Sequence, residues 1–143
     1  MAYDVPQLMK MSQAELEAVF AASPPGDIPA GEGKGTAIIA PGTPCTPELA
    51  EVINLFAWQG KIFDPASGTI RNEITPFRIR AVIAKLYKGN SWLDGKECIV
   101  LDYSETSLVA QWIRDELRLV GPGLYLGRAY WSKQHILDFT LQF

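Results

Sequence analysis

The sequence predicts a mainly β fold, a single antiparallel barrel with two short helices in the N-terminal half. After Gly60, apolar and polar residues alternate with period two in about seven segments that turn residues separate. No helical pattern stands between these segments, which favours antiparallel pairing over βαβ units. A meander this long leaves exposed edges unless it closes on itself, and closure into a barrel removes them.

The length of 143 residues fits one domain, which we assign to residues 1–143. Within it, residues 1–34 form a helix and a loop rich in Pro and Gly. Residues 35–143 form the barrel, including a second helix over 46–58. An apolar fraction of 48% and a charged fraction of 20% are typical of globular proteins.

The stretch "SQAELEAVF" predicts the first helix. Ser12 can accept from the first-turn amides, and Glu15 completes a capping box. Leu16, Val19 and Phe20 follow at helical spacing. The next residues, "SPPGDIPAGEGKG", predict a loop. It leads into a short strand, "TAIIA", over residues 36–40.

The stretch "TPELAEVINLFAW" predicts the second helix, over 46–58. Thr46 is a candidate N-cap, Pro47 suits the first helical position, and Glu48 suits the positive end of the helix dipole. The apolar residues of this stretch fall on one face, which we expect to cover part of the barrel.

The remaining strands are "KIFD", "TIRNEIT", "IRAVIAKLY", "KECIVLDY", "RDELRLV", "LYLGRAYW" and "HILDFTLQF". Turn signals between them include "PASG", "TPF", "GNSWLDG", "GPG" and "SKQ". The stretch "SETSLVAQW", residues 104–112, fits a helical turn or part of a strand, and we leave both open.

Because side chains alternate across a strand, faces can be assigned from the sequence. In the last strand, the set that begins at His135 and continues with Leu137 and Phe139 is apolar and is expected inside. In "IRDELRLV" one face carries Asp115 among apolar residues and the other carries the charged residues of 114–118. Either the apolar face points inward with Asp115, or the charged face lines a polar cavity. We favour a charged face that forms a solvated cross-strand ladder.

Charge, hydropathy and the numbers of Cys and His residues limit the partners, location and metal sites that we expect. The net charge is −3, and no basic stripe or RNA-binding motif occurs, so we expect no nucleic-acid partner. No apolar run approaches the roughly 20 residues that span a bilayer. We expect no secretory signal, a cytoplasmic location, and free thiols at Cys45 and Cys98. His135 is the one histidine, so we expect no metal site and no cofactor.

The sequence does not match the motifs for phosphate binding, dinucleotide binding or serine hydrolysis. "GEGKGT" lacks the first glycine of a phosphate loop and precedes a strand, and "GPGLYLG" has one residue too many for a dinucleotide fingerprint. No G-x-S-x-G elbow accompanies His135. Asp102 beside Tyr103 is a second acid–base candidate, although a strand-end aspartate that caps a turn is the favoured interpretation. Catalytic residues therefore stay unassigned.

The C-terminal half resembles a known class of barrels. "RDELRLVGPGLYLGRAYW", followed by "ILDFTLQF", resembles the C-terminal hairpin of small bacterial lipocalin-like proteins, which belong broadly to the calycin class and are mostly uncharacterised. The matching positions are the Arg-Asp-Glu run at 114–116, the Gly-Leu-Tyr-Leu-Gly run at 123–127, and the aromatic-rich closing strand. "CIVLDYS", residues 98–104, is similar to another strand of that set. The resemblance covers roughly Gly60 to Phe143 and implies a lipocalin-like barrel.

We therefore expect a barrel that binds a small apolar or amphipathic ligand of unknown identity. One alternative is an enzyme, an isomerase, cyclase or hydrolase, that uses the same cavity with His135, Asp102, Asp115 or Glu116 as acid or base. The other is an interaction protein with a solid core. A homodimer stays open. The expected ligand-binding residues are Tyr103, Trp112, Arg114, Glu116, Tyr125, Tyr130, His135 and Phe139.

Overall fold

The computed structural model describes residues 2–38, 47, 61–73, 81–104 and 112–143. Two helices come first, α1 (Val5–Met9) and α2 (Gln13–Ala22). Eight strands follow: β1 (Gly31–Ile38), β2 (Lys61–Asp64), β3 (Thr69–Glu73), β4 (Ala81–Asn90), β5 (Glu97–Asp102), β6 (Ile113–Gly121), β7 (Leu124–Trp131) and β8 (Gln134–Gln142). Most of the helix predicted over 46–58 lies outside the described residues, as does most of the ambiguous segment 104–112.

The strands close into a barrel in chain order. Each strand pairs antiparallel with its neighbour in the sequence, and β1 pairs with β8 to complete the ring. Residues 34–38 of β1 lie opposite residues 138–142 of β8. The predicted mainly β antiparallel barrel is therefore confirmed.

Both helices begin with capping boxes. In α2 the Ser12 hydroxyl accepts from the Glu15 amide at 3.2 Å, and the Glu15 carboxylate accepts from the Ser12 amide at 3.1 Å, as the sequence predicts. Asp4 and Gln7 form the same arrangement at the start of α1. Helix α1 was not predicted, because five residues are too few to show a helical period.

Strand β1 begins at Gly31, earlier than the predicted start at residue 36, so the glycine-rich stretch "GEGKG" is strand and the predicted loop is too long. Gly33 allows close packing. A Cβ on Gly33 would lie 2.6 Å from the ring of Phe143. A glycine inside a strand often marks such a close approach. The barrel therefore starts at residue 31 and not at residue 35.

The described residues form an apolar inner core in the barrel. Cross-strand partners share a face, so the pairs Leu86–Leu101 and Ala129–Leu137 point the same way, into the barrel. The buried residues of this inner core are Phe63, Ala84, Leu86, Ile99, Leu101, Tyr103, Ile113, Leu117, Tyr125, Ala129, Leu137, Phe139 and Leu141.

A second apolar cluster lies outside the barrel, where the N-terminal segment packs on the strands. It joins both helices to β1, β5, β6 and β7. Its buried members are Leu8, Leu16, Val19, Phe20, Ile38, Cys98, Val100, Val120, Leu124 and Leu126. The outer faces of these strands are therefore buried too, which explains why both faces of "ECIVLDY" are apolar in the sequence.

Residues 24–30 run across one end of the barrel. The Leu119 amide donates to the Pro24 carbonyl at 2.9 Å, and the Tyr125 hydroxyl donates to the Asp27 carbonyl at 2.7 Å. Ile28 packs against the inner core. Below it, the Phe143 ring makes edge contacts with Phe63 and Tyr125 at centroid distances of 5.0 and 5.7 Å. Protein side chains thus fill this end, which we call the plugged end.

Two predicted turns connect the last three strands. Pro122 and Gly123 join β6 to β7, and Gly123 has a φ of +62°. Ser132 and Lys133 join β7 to β8, both with positive φ, at 47° and 71°. Two left-handed residues in a row suit a tight hairpin, because their twist matches that of the flanking strands.

The interior packing predicts that Gly127→Ala destabilises the protein. Gly127 lies opposite Phe139 on the inner face, and an added Cβ would overlap the Phe139 ring. We expect the free energy of unfolding to fall by about 1–3 kcal/mol, as measured by urea denaturation. In a Phe139→Leu background the same change should have a smaller effect. Additive effects of the two substitutions would contradict this packing.

Candidate functional site

The two faces of β6 are distinguishable in the structure. Ile113 and Leu117 belong to the inner core, so Asp115 between them also points into the barrel, and it is 0% exposed. Arg114 and Glu116 therefore lie on the outer face. Of the two predicted alternatives, the apolar face with Asp115 is the one inside.

Asp115 lies in a row of otherwise apolar residues. It pairs with Leu101 on β5 and with Ala129 on β7, and Ala129 in turn pairs with Leu137 on β8. Burial of a carboxylate among apolar side chains is costly unless other groups compensate its charge. Buried carboxylates are concentrated at functional sites. Asp115 is therefore the leading candidate for a functional residue inside the barrel.

The charged outer face of β6 is buried, which corrects our prediction of a solvated ladder. Glu116 pairs across the sheet with Arg128, and Arg128 pairs with Asp138, so the sign of the charge alternates over three strands. The exposed fractions are 0% for Glu116, 3% for Arg128 and 1% for Asp138. The ladder exists, but the N-terminal segment and the β4–β5 loop, residues 91–96, cover it.

Glu116 fastens the β4–β5 loop to β6. It accepts hydrogen bonds from the Ser91 hydroxyl at 2.7 Å, from the Trp92 amide at 2.8 Å, and from two nitrogens of Arg114 at 3.1 Å. Arg114 also donates to the Asn90 carbonyl at 2.8 Å, and its guanidinium lies 4.4 Å from the centre of the Trp92 ring. Through these contacts, Arg114 and Glu116 hold the β4–β5 loop against β6.

Arg118 links three parts of the chain. It donates to both carboxylate oxygens of Asp94 at 2.7 Å and to the Phe20 carbonyl of α2 at 2.9 Å. Further bonds at 3.2 Å reach the carbonyls of Lys96 and Glu97. The hydrogen bond from Arg118 lowers the pKa of Asp94 to about 2, against the opposing effect of burial. A charge-assisted bidentate pair of this kind is among the stronger side-chain contacts.

His135 points outward, and our prediction that it lines the barrel is wrong. The register of β7 and β8 shifts after Ala129, so that Tyr130 faces His135 while Ala129 faces Leu137. Ile136 is the extra residue, and it packs against the inner core. A bulge of one residue reverses the faces beyond it. The His135 ring lies 3.1 Å from Asp138, measured from Nε2 to Oδ1, on the outer surface.

The eight predicted ligand-binding residues therefore separate into three groups. Inside the barrel lie Tyr103, Tyr125 and Phe139. On the outer face lie Arg114, Glu116, Tyr130 and His135. Trp112 is 52% exposed, and its ring is 6.1 Å from that of Trp131. The predicted set left out Asp115, although strand alternation placed it inside in one of the two alternatives.

The candidate acid–base pair Asp102 and Tyr103 is divided between faces. Tyr103 joins the inner core, while Asp102 accepts from the Ser104 amide at 2.9 Å and from the Tyr87 hydroxyl at 3.0 Å on the outside. Burial raises the pKa of Asp102, but the hydrogen bonds from Ser104 and Tyr87 outweigh it, and the pKa is lowered. The favoured interpretation, an aspartate that caps a turn, agrees with these contacts.

Cys98 is buried on the outer face of β5, beneath the N-terminal segment, and it is a free thiol. Burial, with a further contribution from the charge of Glu116, raises the pKa of this thiol to about 12. The reactive thiolate is therefore scarce at neutral pH. Cys45 lies outside the described residues.

Comparisons with known proteins support the fold alone. No protein-family model matches this chain, and no curated protein matches it. A crystal structure of a protein from Thermomonospora curvata is similar, with a TM-score of 0.58 and 16% sequence identity. The match covers 96% of this chain and 91% of that chain. Within the described part of our chain, no helix is long and apolar enough to cross a membrane.

The Asp94–Arg118 pair predicts an acid-sensitive part of the stability. The folded-state pKa of Asp94, about 2, lies below the ordinary aspartate value of 3.8. The stabilisation is therefore present above about pH 4 and is lost as the pH falls through 2. Asp94→Asn should lower the free energy of unfolding at pH 7 by about 1–2 kcal/mol and flatten its fall between pH 4 and 2. Glu32→Gln, at an exposed acid on β1, removes one negative charge as well and is the control, which should leave the free energy of unfolding at pH 7 within about 0.5 kcal/mol of wild type.

The position of Cys98 predicts slow thiol labelling. In a Cys45→Ser background, Cys98 should react with a disulfide reagent at neutral pH only as the N-terminal segment opens or the chain unfolds. The labelling rate should therefore rise with added urea in step with unfolding. Fast labelling of the folded protein in buffer, followed by absorbance, would show that the segment does not cover Cys98.

Proposed function

We propose that this protein binds a small apolar or amphipathic molecule in the barrel interior, beside Asp115. The observation that carries the proposal is the carboxyl group itself, which is 0% exposed and lies among the apolar residues of the described inner core. If stability alone selected this position, an apolar residue of similar volume would serve as well or better. Because burial of the Asp115 carboxyl group costs stability, its presence favours a role in ligand recognition.

A carboxylate is suited to orient a ligand. It offers about four lone-pair positions, so it can accept a hydrogen bond from a ligand beside its contacts with the protein. Binding sites for small molecules are commonly apolar, with a few polar groups that fix orientation. The row Leu101–Asp115–Ala129 has this composition, with a single acceptor between apolar neighbours.

Two features favour the half of the barrel away from the plugged end. Asp115 lies four residues before Leu119 on β6, about 13 Å along the strand from the residues that the plug covers. The inner residues Ala84 and Ala129 have small side chains, unlike the aromatic residues of the plugged end. Both alanines are buried, at 1% and 0% exposed, so a ligand must displace the groups that cover them. The ligand is thus proposed to lie against Ala129 and Tyr103.

The topology supports the same function. Barrels of eight strands joined in chain order include ligand carriers such as the lipocalins, whose interior holds one small molecule. The C-terminal resemblance to calycin-class proteins points the same way. We further propose a cytoplasmic location, which the free thiol of Cys98 supports.

Binding is favoured over catalysis by the positions of the candidate acids and bases. His135, Asp102 and Glu116 all lie on the outer face of the barrel. Of the four acid–base candidates from the sequence, Asp115 alone faces the interior. A general acid and a general base must both reach the reacting atoms, and these four residues do not supply such a pair.

A blocking substitution tests the site. The neutral dye N-phenyl-1-naphthylamine, which carries an N–H donor, should bind with enhanced fluorescence, and Ala129→Phe should abolish that enhancement. Ala129 is 0% exposed, so the new ring takes space that the dye must enter, and the variant should also lose about 1–3 kcal/mol in the free energy of unfolding. A wild-type protein that fails to enhance the fluorescence of the dye would contradict the proposal and indicate a solid barrel.

Adjacent residues on opposite faces provide a matched comparison for the role of Asp115. Asp115→Asn should weaken binding of the same dye about tenfold, because the amide oxygen of asparagine accepts a weaker hydrogen bond than a carboxylate oxygen. Glu116→Gln, at the neighbouring buried acid on the outer face, should lower the melting temperature but leave the dye affinity unchanged. Equal losses of affinity in the two variants would contradict a ligand site beside Asp115.

A further inference from the structure

A second polar site lies outside the barrel, beneath helix α2. It is formed by Arg128, Asp138 and Thr140, which are 3%, 1% and 0% exposed. Arg128 and Asp138 are cross-strand partners, and Thr140 follows two residues later on the same face of β8. This cluster is separate from the interior site, because these side chains point away from the barrel axis.

Several of the polar atoms in this cluster lack a hydrogen-bond partner among the described residues. Arg128 uses Nε to donate to the Tyr130 hydroxyl at 3.2 Å, and its Nη2 lies 3.5 Å from Glu17 of α2. Its Nη1 is unpartnered and lies 3.9 Å from Oδ1 of Asp138. Asp138 Oδ2 and Thr140 Oγ1 are unpartnered as well, although all of these atoms are buried.

We propose that these atoms bind an internal water molecule between α2 and the barrel. A separation of 3.9 Å is too long for a direct hydrogen bond, and bridging by water is the usual arrangement for buried polar groups at such distances. The cluster offers a donor in Arg128, an acceptor in Asp138, and a hydroxyl in Thr140 that can do either. Water satisfies all of these roles, and buried waters typically make about three hydrogen bonds.

The charges of the cluster select a neutral ligand. The guanidinium of Arg128 disfavours a metal cation, and the carboxylates of Asp138 and Glu17 disfavour an anion. Phe20 of α2 closes the cluster, with its ring centre 6.0 Å from the Arg128 guanidinium. The bound water therefore belongs to the contact between α2 and the barrel, and it should exchange slowly with solvent.

A high-resolution crystal structure tests the proposal directly. The expected result is a density peak within about 3.2 Å of both Arg128 Nη1 and Asp138 Oδ2, with distances typical of hydrogen bonds. A direct Arg128–Asp138 hydrogen bond without a peak would overturn the proposal. A peak with contacts near 2.4 Å would also overturn it, because such distances indicate a metal cation.

A solution measurement with matched variants tests the part of Thr140. Oxygen-17 magnetic relaxation dispersion counts long-lived internal waters in the folded protein. Thr140→Ser keeps the hydroxyl and should keep the count of the wild type, whereas Thr140→Val should lose one long-lived water. Equal counts in the two variants would overturn the three-residue site.

Discussion

The paired charges on the outer face of β6 hold the covering elements in place. Glu116 binds the start of the β4–β5 loop, and Arg118 binds both that loop, through Asp94, and the end of α2, through the Phe20 carbonyl. Each partner on its own would be a buried charge of high energy, so the loop and the helix are needed where they are. The residues that resembled a ligand site in the sequence therefore secure the covering layer of the fold.

The inner face of β6 differs from its outer face. With the charges of β6 directed outward and the plugged end filled by residues 24–30 and three aromatic rings, Asp115 stands alone among the charged residues of β6 as an interior group. Its cross-strand neighbours Leu101 and Ala129 are apolar. Among the described residues, the polar contacts are concentrated on the outer face of the barrel, and the carboxyl group of Asp115 lies on the inner face, which is the observation behind the proposed ligand site.

Alternation along the sequence was sufficient to predict the strands after Gly60, their antiparallel pairing and the two faces of β6. It could not decide which face was inside, because the charged face is buried under the N-terminal segment instead of lying in water. His135 was misplaced for a different reason. The bulge at Ile136 adds one residue to β8, and nothing in the alternation marks it. The glycine-rich start of β1 resembled a loop because the close approach of Gly33 to Phe143 depends on a residue far along the chain.

The proposal of an interior ligand is tested most directly by native mass spectrometry of the protein purified from its own host. We predict a mass above that of the polypeptide, together with one small apolar or amphipathic molecule released on denaturation. A bare polypeptide mass, from a protein that also fails to enhance the fluorescence of N-phenyl-1-naphthylamine, would contradict the account and indicate a solid barrel.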